Sequence, residues 1–146
     1  MRLLSFIFHP SSLWPALLCL VVAGCGGGEK TVPVRGRVHN AGEPLHVKGR
    51  DIGLGMVQIQ FYRLDEDGQQ STITAEAVAN ADGRFDAPGR QGRGIPPGKY
   101  RIAVRQWDPY PQVDKLQGKF DEKRSRIVRE IPGEGDLDID VSKPEG

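Results

Sequence analysis

From Val32 onward the apolar positions recur with a period of two. Val32, Val34 and Val38 alternate with Pro33, Arg35 and Arg37, and Gly36 falls on the apolar side. The same alternation runs through Val57, Ile59 and Phe61 against Gln58, Gln60 and Tyr62, and through Ile73, Ala75, Ala77 and Ala79 against Thr74, Glu76 and Val78. It returns in Tyr100, Ile102 and Val104 against Arg101, Ala103 and Arg105, and in Leu137, Ile139 and Val141 against three aspartates. Successive side chains of a strand point to opposite faces, so each run predicts a strand with one buried face and one solvated face, as in antiparallel sheets covered on one side. Turn chemistry separates the runs: Asn40-Ala41-Gly42, Asp67-Gly68, Asp82-Gly83 and Pro96-Pro97-Gly98. Phe85 and its neighbours predict a further short strand, and residues 126–131 another before Pro132-Gly133. About seven strands with no long helical pattern between them predict an all-β, Ig-like Greek-key sandwich.

Five segments carry a family resemblance on top of that pattern. Val34-Arg35-Gly36-Arg37-Val38, Gly42-Glu43-Pro44-Leu45, Val57 to Phe61, Asn80 to Phe85 and Ile95 to Ile102 follow one another in the order of the carboxypeptidase regulatory-like (transthyretin-like) domain. The chain resembles small bacterial lipoproteins built from one such domain, with the match covering about residues 32–141. The resemblance implies a non-catalytic sandwich over residues 32–142, followed by a tail at 143–146. One departure stands out: residues 46–55, with three glycines, intervene where the family passes straight into its next strand. This segment predicts an extended surface loop to which no family site can be transferred.

The N-terminal segment has a different character. Met1-Arg2 is weakly positive, residues 13–22 are apolar except for Pro15, and Val22-Ala23-Gly24-Cys25 then precedes a polar glycine-rich stretch. The apolar run is too short to span a bilayer comfortably and reads as the hydrophobic region of a signal peptide. The segment resembles a bacterial lipobox, which implies cleavage after residue 24 and lipidation of the Cys25 sulfur, an anchor of two or three acyl chains. The alternative is an ordinary signal peptide cut near Ala23 with Cys25 a free thiol. Gly26 follows the cysteine where enteric retention signals have Asp, which leaves the membrane leaflet, periplasmic or cell-surface, open. Residues 25–31 then predict a lipidated cysteine and a short flexible tether.

Composition narrows the function classes. Removing residues 1–24 of the 146 leaves 122, the size of a single domain. Cys19 leaves with the signal, so Cys25 has no disulfide partner and the fold must rest on core packing. The formal charge of +1 contains Arg2, and without it basic and acidic residues balance at 19 each. Such a surface lacks the basic face that displaces counterions from nucleic acid, so nucleic acid is not an expected partner. The membrane, through the lipid anchor, is expected, with an envelope protein or glycan as the further partner and a monomer as the state of the chain.

Candidate chemistry is sparse, and no catalytic residue, metal site or cofactor is expected. His39 and Glu43 lack the spacing of a zinc peptidase, and a lone histidine at a strand end reads as a surface residue. The C-terminal Tyr-Arg-Gly-Ser signature of the hydroxyisourate hydrolases, enzymes related to transthyretin, is missing from the segment that ends Ser142-Lys143-Pro144-Glu145-Gly146. A hydrolase using His39 or His46 with an aspartate is therefore the weakest of the readings. Asp136, Asp138 and Asp140 on one strand face, and Asp65-Glu66-Asp67, lack calcium-loop spacing and read as solvated surface. The Gly89 to Gly94 stretch, with Arg90 and Arg93, invites a phosphate-loop reading, but prolines and a strand follow it where a helix N-terminus would be needed. The strongest binding candidates are Trp107 and Tyr110 in Trp107-Asp108-Pro109-Tyr110-Pro111, two aromatics in a proline-stiffened loop after a strand, with Arg90 and Arg93 as further candidates. Exposed, they would stack on sugar rings or a partner peptide; buried, they would close the end of the core.

Overall fold

The structure, a computed structural model, describes residues 29–89 and 92–146. Cys25, the lipobox and Arg90 lie outside the described residues. The fold is an all-β sandwich of two sheets, as the period-two pattern predicts. In the first sheet β1 (Val34–Asn40) pairs with the two-residue β2 (Glu43–Pro44), with β5 (Arg84–Ala87) and with β8 (Leu137–Asp140). The second has the order β4 (Gln70–Ala79), β3 (Met56–Leu64), β6 (Gly98–Trp107) and β7 (Val128–Ile131). All pairs are antiparallel except one: β8 runs parallel to β1, with Gly36 opposite Leu137 and His39 opposite Asp140. An all-antiparallel reading from the alternation misses this, because alternation reports which face is buried and not strand direction.

The inward positions of both sheets meet in one core. Val38, Ile59, Phe61, Tyr100, Ile102, Val104, Phe120, Ile127 and Ile139 are fully or almost fully buried there. Phe61 sits at its centre, 6.3 Å from the Phe85 ring and 6.4 Å from the Tyr100 ring, in tilted and edge-on contacts. Gly36 has a steric reason to lack a side chain: a Cβ would come within 2.5 Å of the Phe85 ring and 2.6 Å of the Leu137 carbonyl oxygen. The buried Ser125 hydroxyl is paired, donating to the Ile102 carbonyl and accepting from the Ile127 N–H, whereas Arg101 Nε is buried without a partner among the described residues.

One apolar residue leaves the face that alternation assigns it. Phe61 pairs with Ala75 but Tyr62 pairs with Ile73, so β4 carries one extra residue between them. This bulge turns Ile73 outward, where it is exposed. Segment 46–55 is also more ordered than an extended loop. It folds into a 3-10 turn, Arg50–Ile52, and Arg50 ties it down by donating to the carbonyls of Ala79 and Leu45.

The two ends of the sandwich follow from the register. Met56 lies opposite Trp107 and Arg63 opposite Tyr100, so the start of β3 and the finish of β6 share one end, with Leu64 and Gly98 at the other. The chain enters the fold at the Gly98 end. There Glu29 forms an ion pair with Arg63 at 2.7 Å, Thr31 donates to the Arg93 carbonyl at 2.9 Å, and Val32 bridges Ile95. Residues 29–31, expected to belong to a flexible tether, are thus fastened to the sandwich. The C-terminal tail is held as well, its last two carbonyls accepting from Arg129.

Candidate functional site

Trp107 is the final residue of β6, not a loop residue, and its side chain lies half-buried on the outer face of the second sheet. The indole N–H donates to Gln58 Oε1 at 2.8 Å, and the Arg105 guanidinium lies 5.8 Å from the ring centroid. The ring therefore does not close the core. Tyr110 meets it edge-on at 5.9 Å and remains 39% exposed.

The segment after β6 is tightly organised. Asp108 N–H donates to the Val113 carbonyl, and the Gln112 and Val113 N–H groups both donate to the Pro109 carbonyl. The carboxylate of Asp114 accepts the N–H groups of Gln106, Leu116 and Gly118, closing the turn from below. This segment is stitched in turn to residues 46–55: Tyr110 N–H donates to the Leu54 carbonyl at 2.7 Å, and the Gln106 amide to the His46 carbonyl at 2.8 Å. Two segments at the same end thus hold each other through one backbone bond and one from the Gln106 side chain, while apolar side chains of both face water. Ile52 is 74% exposed and Leu54 53%, with Tyr110 and Val113 also exposed. Sequence reasoning found the aromatics and missed Ile52, Leu54 and Val113. The signal for Ile52 and Leu54 was the run Gly49 to Gly55, where apolar residues sit between glycines with no periodic partner; Val113 had no such signal.

The other candidates stand elsewhere. Arg93 is exposed at the Gly98 end, beside Thr31, and does not join Trp107 and Tyr110. An open groove of about 340 Å³ lies at that same end, lined by Pro33, Arg35, Ile131, Pro132, Asp136 and Leu137 among others. Its one basic group, Arg35, is already paired with Asp86 at 3.1 Å.

His39 is not the surface residue that its position suggests; it is buried, and so is Asp140. The parallel β1/β8 pairing causes this by setting the Asp138 and Asp140 carboxylates beside the imidazole. Gly42 N–H donates to Nδ1 at 2.9 Å, so the ring proton sits on Nε2 and goes to Asp138 at 3.0 Å. Asp140 accepts from the Ala41 N–H, the Ser142 hydroxyl and the Ser142 N–H, with Lys143 at 3.3 Å. These donors, the Ala41 N–H first, hold its carboxyl well below the usual carboxylate range. Asp138 and Asp140 approach different nitrogens of the ring and do not converge on one point. No group of three or more His, Cys, Asp or Glu is arranged to hold a metal among the described residues.

On the outer face of the second sheet a polar chain runs through Glu76, Gln60, Arg105 and Glu122, with the Tyr62 hydroxyl donating to Gln60. Burial, and then the Glu122 carboxylate, push the Tyr62 phenol above its ordinary value. Gln58, Gln60 and Tyr62 are buried although they lie on the solvent side of the sheet.

A scan against protein-family models finds no match, and neither the curated proteins nor the solved structures yield one. Among the described residues no helix is long and apolar enough to cross a membrane.

Proposed function

We propose that this chain is a membrane-anchored cell-envelope lipoprotein whose sandwich is a non-catalytic module, structural or binding in role. The anchor reading is carried by Val22-Ala23-Gly24-Cys25 at the close of an apolar run. With residues 29–32 attached at the Gly98 end, a lipid on Cys25 would hold the sandwich by that end. The non-catalytic reading draws on His39: both ring nitrogens are engaged by protein groups, which leaves the imidazole no free nitrogen for a substrate proton. The aromatic pair at the Trp107 end favours a second reading, an envelope glycan module in which Tyr110 and Trp107 stack on a sugar ring.

Labelling of whole cells with radioactive palmitate tests the anchor. The wild-type chain takes up label and partitions with membranes, whereas Cys25→Ala takes up none and is left unprocessed or soluble. Membrane partitioning of a signal-cleaved Cys25→Ala chain would overturn the proposal.

A further inference from the structure

We infer that His39 is a proton-operated latch on the Asn40-Ala41-Gly42 turn: when the ring takes up a second proton, its Nδ1 exchanges the Gly42 N–H for the Asp140 carboxylate. Both partners of that nitrogen are already in place. Gly42 N–H donates to Nδ1 at 2.9 Å, while Asp140 Oδ1 lies 3.6 Å from the same atom, too far for a hydrogen bond as the ring stands. A nitrogen that accepts a backbone N–H carries no proton, so the neutral ring bears its proton on Nε2, toward Asp138 Oδ1 at 3.0 Å. A second proton can go only to Nδ1. There it turns the acceptor into a donor, and two N–H groups cannot share one hydrogen bond. The Gly42 bond must therefore break.

The ring stays in place and the turn gives way. The charged groups around the imidazole come from four elements: Asp138 and Asp140 on β8, Lys143 in the tail at 3.3 Å from Asp140, Arg37 on β1 donating to the Gly42 carbonyl, and exposed Glu43 on β2 opposite Asn40. A doubly protonated ring has a carboxylate at each nitrogen, which holds it in the fold. Asp140, whose carboxyl the Ala41 N–H keeps below the usual carboxylate range, stays charged in mild acid. The exposed Ser142 hydroxyl, one of three donors on Oδ1, can turn to water and make room. The His39 main chain is fixed as well, its carbonyl accepting from the Val141 N–H at 2.8 Å.

The turn, by contrast, is exposed and strained. Ala41 has a φ of 50°, a left-handed conformation that alanine keeps only where its surroundings impose it. Two bonds impose it here, from the Ala41 N–H to Asp140 and from the Gly42 N–H to Nδ1. Losing the second leaves the Gly42 N–H to water and loosens the pairing of β2 with His39 and Asn40. The change ends at Leu45, which is buried in the core. Histidine is the side chain whose charge changes between about pH 5 and pH 8, so the latch is read over that span.

The test is nitrogen NMR of the full chain, uniformly labelled with nitrogen-15 in detergent micelles, from about pH 8 to about pH 5. At the upper limit the scalar coupling across the hydrogen bond between Gly42 N and His39 Nδ1 should be present, with Nδ1 at the shift of an unprotonated ring nitrogen. As the pH falls, the coupling should vanish in step with protonation of Nδ1. The Gly42 amide, corrected for the intrinsic pH dependence of exchange, should lose about fivefold in protection, the worth of one ordinary hydrogen bond. The Val38 and Val141 amides, bonded to the Gly83 and His39 carbonyls, should keep theirs. In the His39→Gln chain the protection of Gly42 should no longer depend on pH; the wild-type coupling decides the matter if that chain fails to fold. A proton on Nδ1 at the upper limit, a coupling that survives protonation, or a ring that takes up no second proton over the range would each overturn the inference. So would equal losses at Val38 and Val141, or a pH dependence of Gly42 that persists in His39→Gln.

Discussion

Gly36 shows how one missing side chain lets two layers meet. With no Cβ it admits the Phe85 ring, and that ring in turn packs on Phe61 at the centre of the core. Gly36→Ala should cost about 1–3 kcal/mol through overpacking, measured by chemical denaturation; an unchanged midpoint would mean that the two strands separate freely there. Asp140 provides the pH-dependent counterpart. Its carboxyl is held below the ordinary value of about 3.9 when folded, so its contribution is fully present above that value and is lost as pH falls through the acid range beneath it. Asp140→Asn should therefore flatten the loss of stability between about pH 4 and pH 2 relative to wild type. An acid limb identical to that of wild type would contradict the role given to this carboxylate.

Among the elements, β4 separates what alternation conveys from what it conceals. Ala75, Ala77 and Ala79 are buried as the pattern requires, but the bulge opposite Phe61 and Tyr62 puts Ile73 on the outer face. Ile73→Thr should accordingly change stability by no more than about 0.5 kcal/mol, whereas a core isoleucine lost in this way would cost several times more. A large loss on thermal melting would place Ile73 back in the core. The strands themselves were legible because apolar and polar residues alternate along them and most end near a glycine or proline turn, although the polar face of β3 is buried. The parallel β1/β8 pair was not, since Asp136, Asp138 and Asp140 alternate identically in either direction. His39 was misread for the same reason: its burial depends on the neighbour that β8 supplies from about a hundred residues away.

At the scale of the whole molecule, the candidate surface was half legible. Trp107 and Tyr110 stood out as aromatics near prolines, but the loop bonded to Tyr110 comes from residues 46–55, and only the folded chain brings the two loops together. Arg93 was grouped with them and lies at the other end, because β6 separates Pro96-Pro97-Gly98 from Trp107 by the full length of a strand. The proposed anchor and the paired loops beside Trp107 therefore define an axis through the domain, with the lipid proposed at the Gly98 end and the loops at the other. Energy transfer to an acceptor dye in the bilayer measures that axis directly, using the lipidated chain in vesicles with a donor at position 99 or at position 54. The account predicts strong transfer from 99 and weaker transfer from 54, in keeping with roughly 25 Å of added height. Equal transfer from both positions, or stronger transfer from 54, would contradict it.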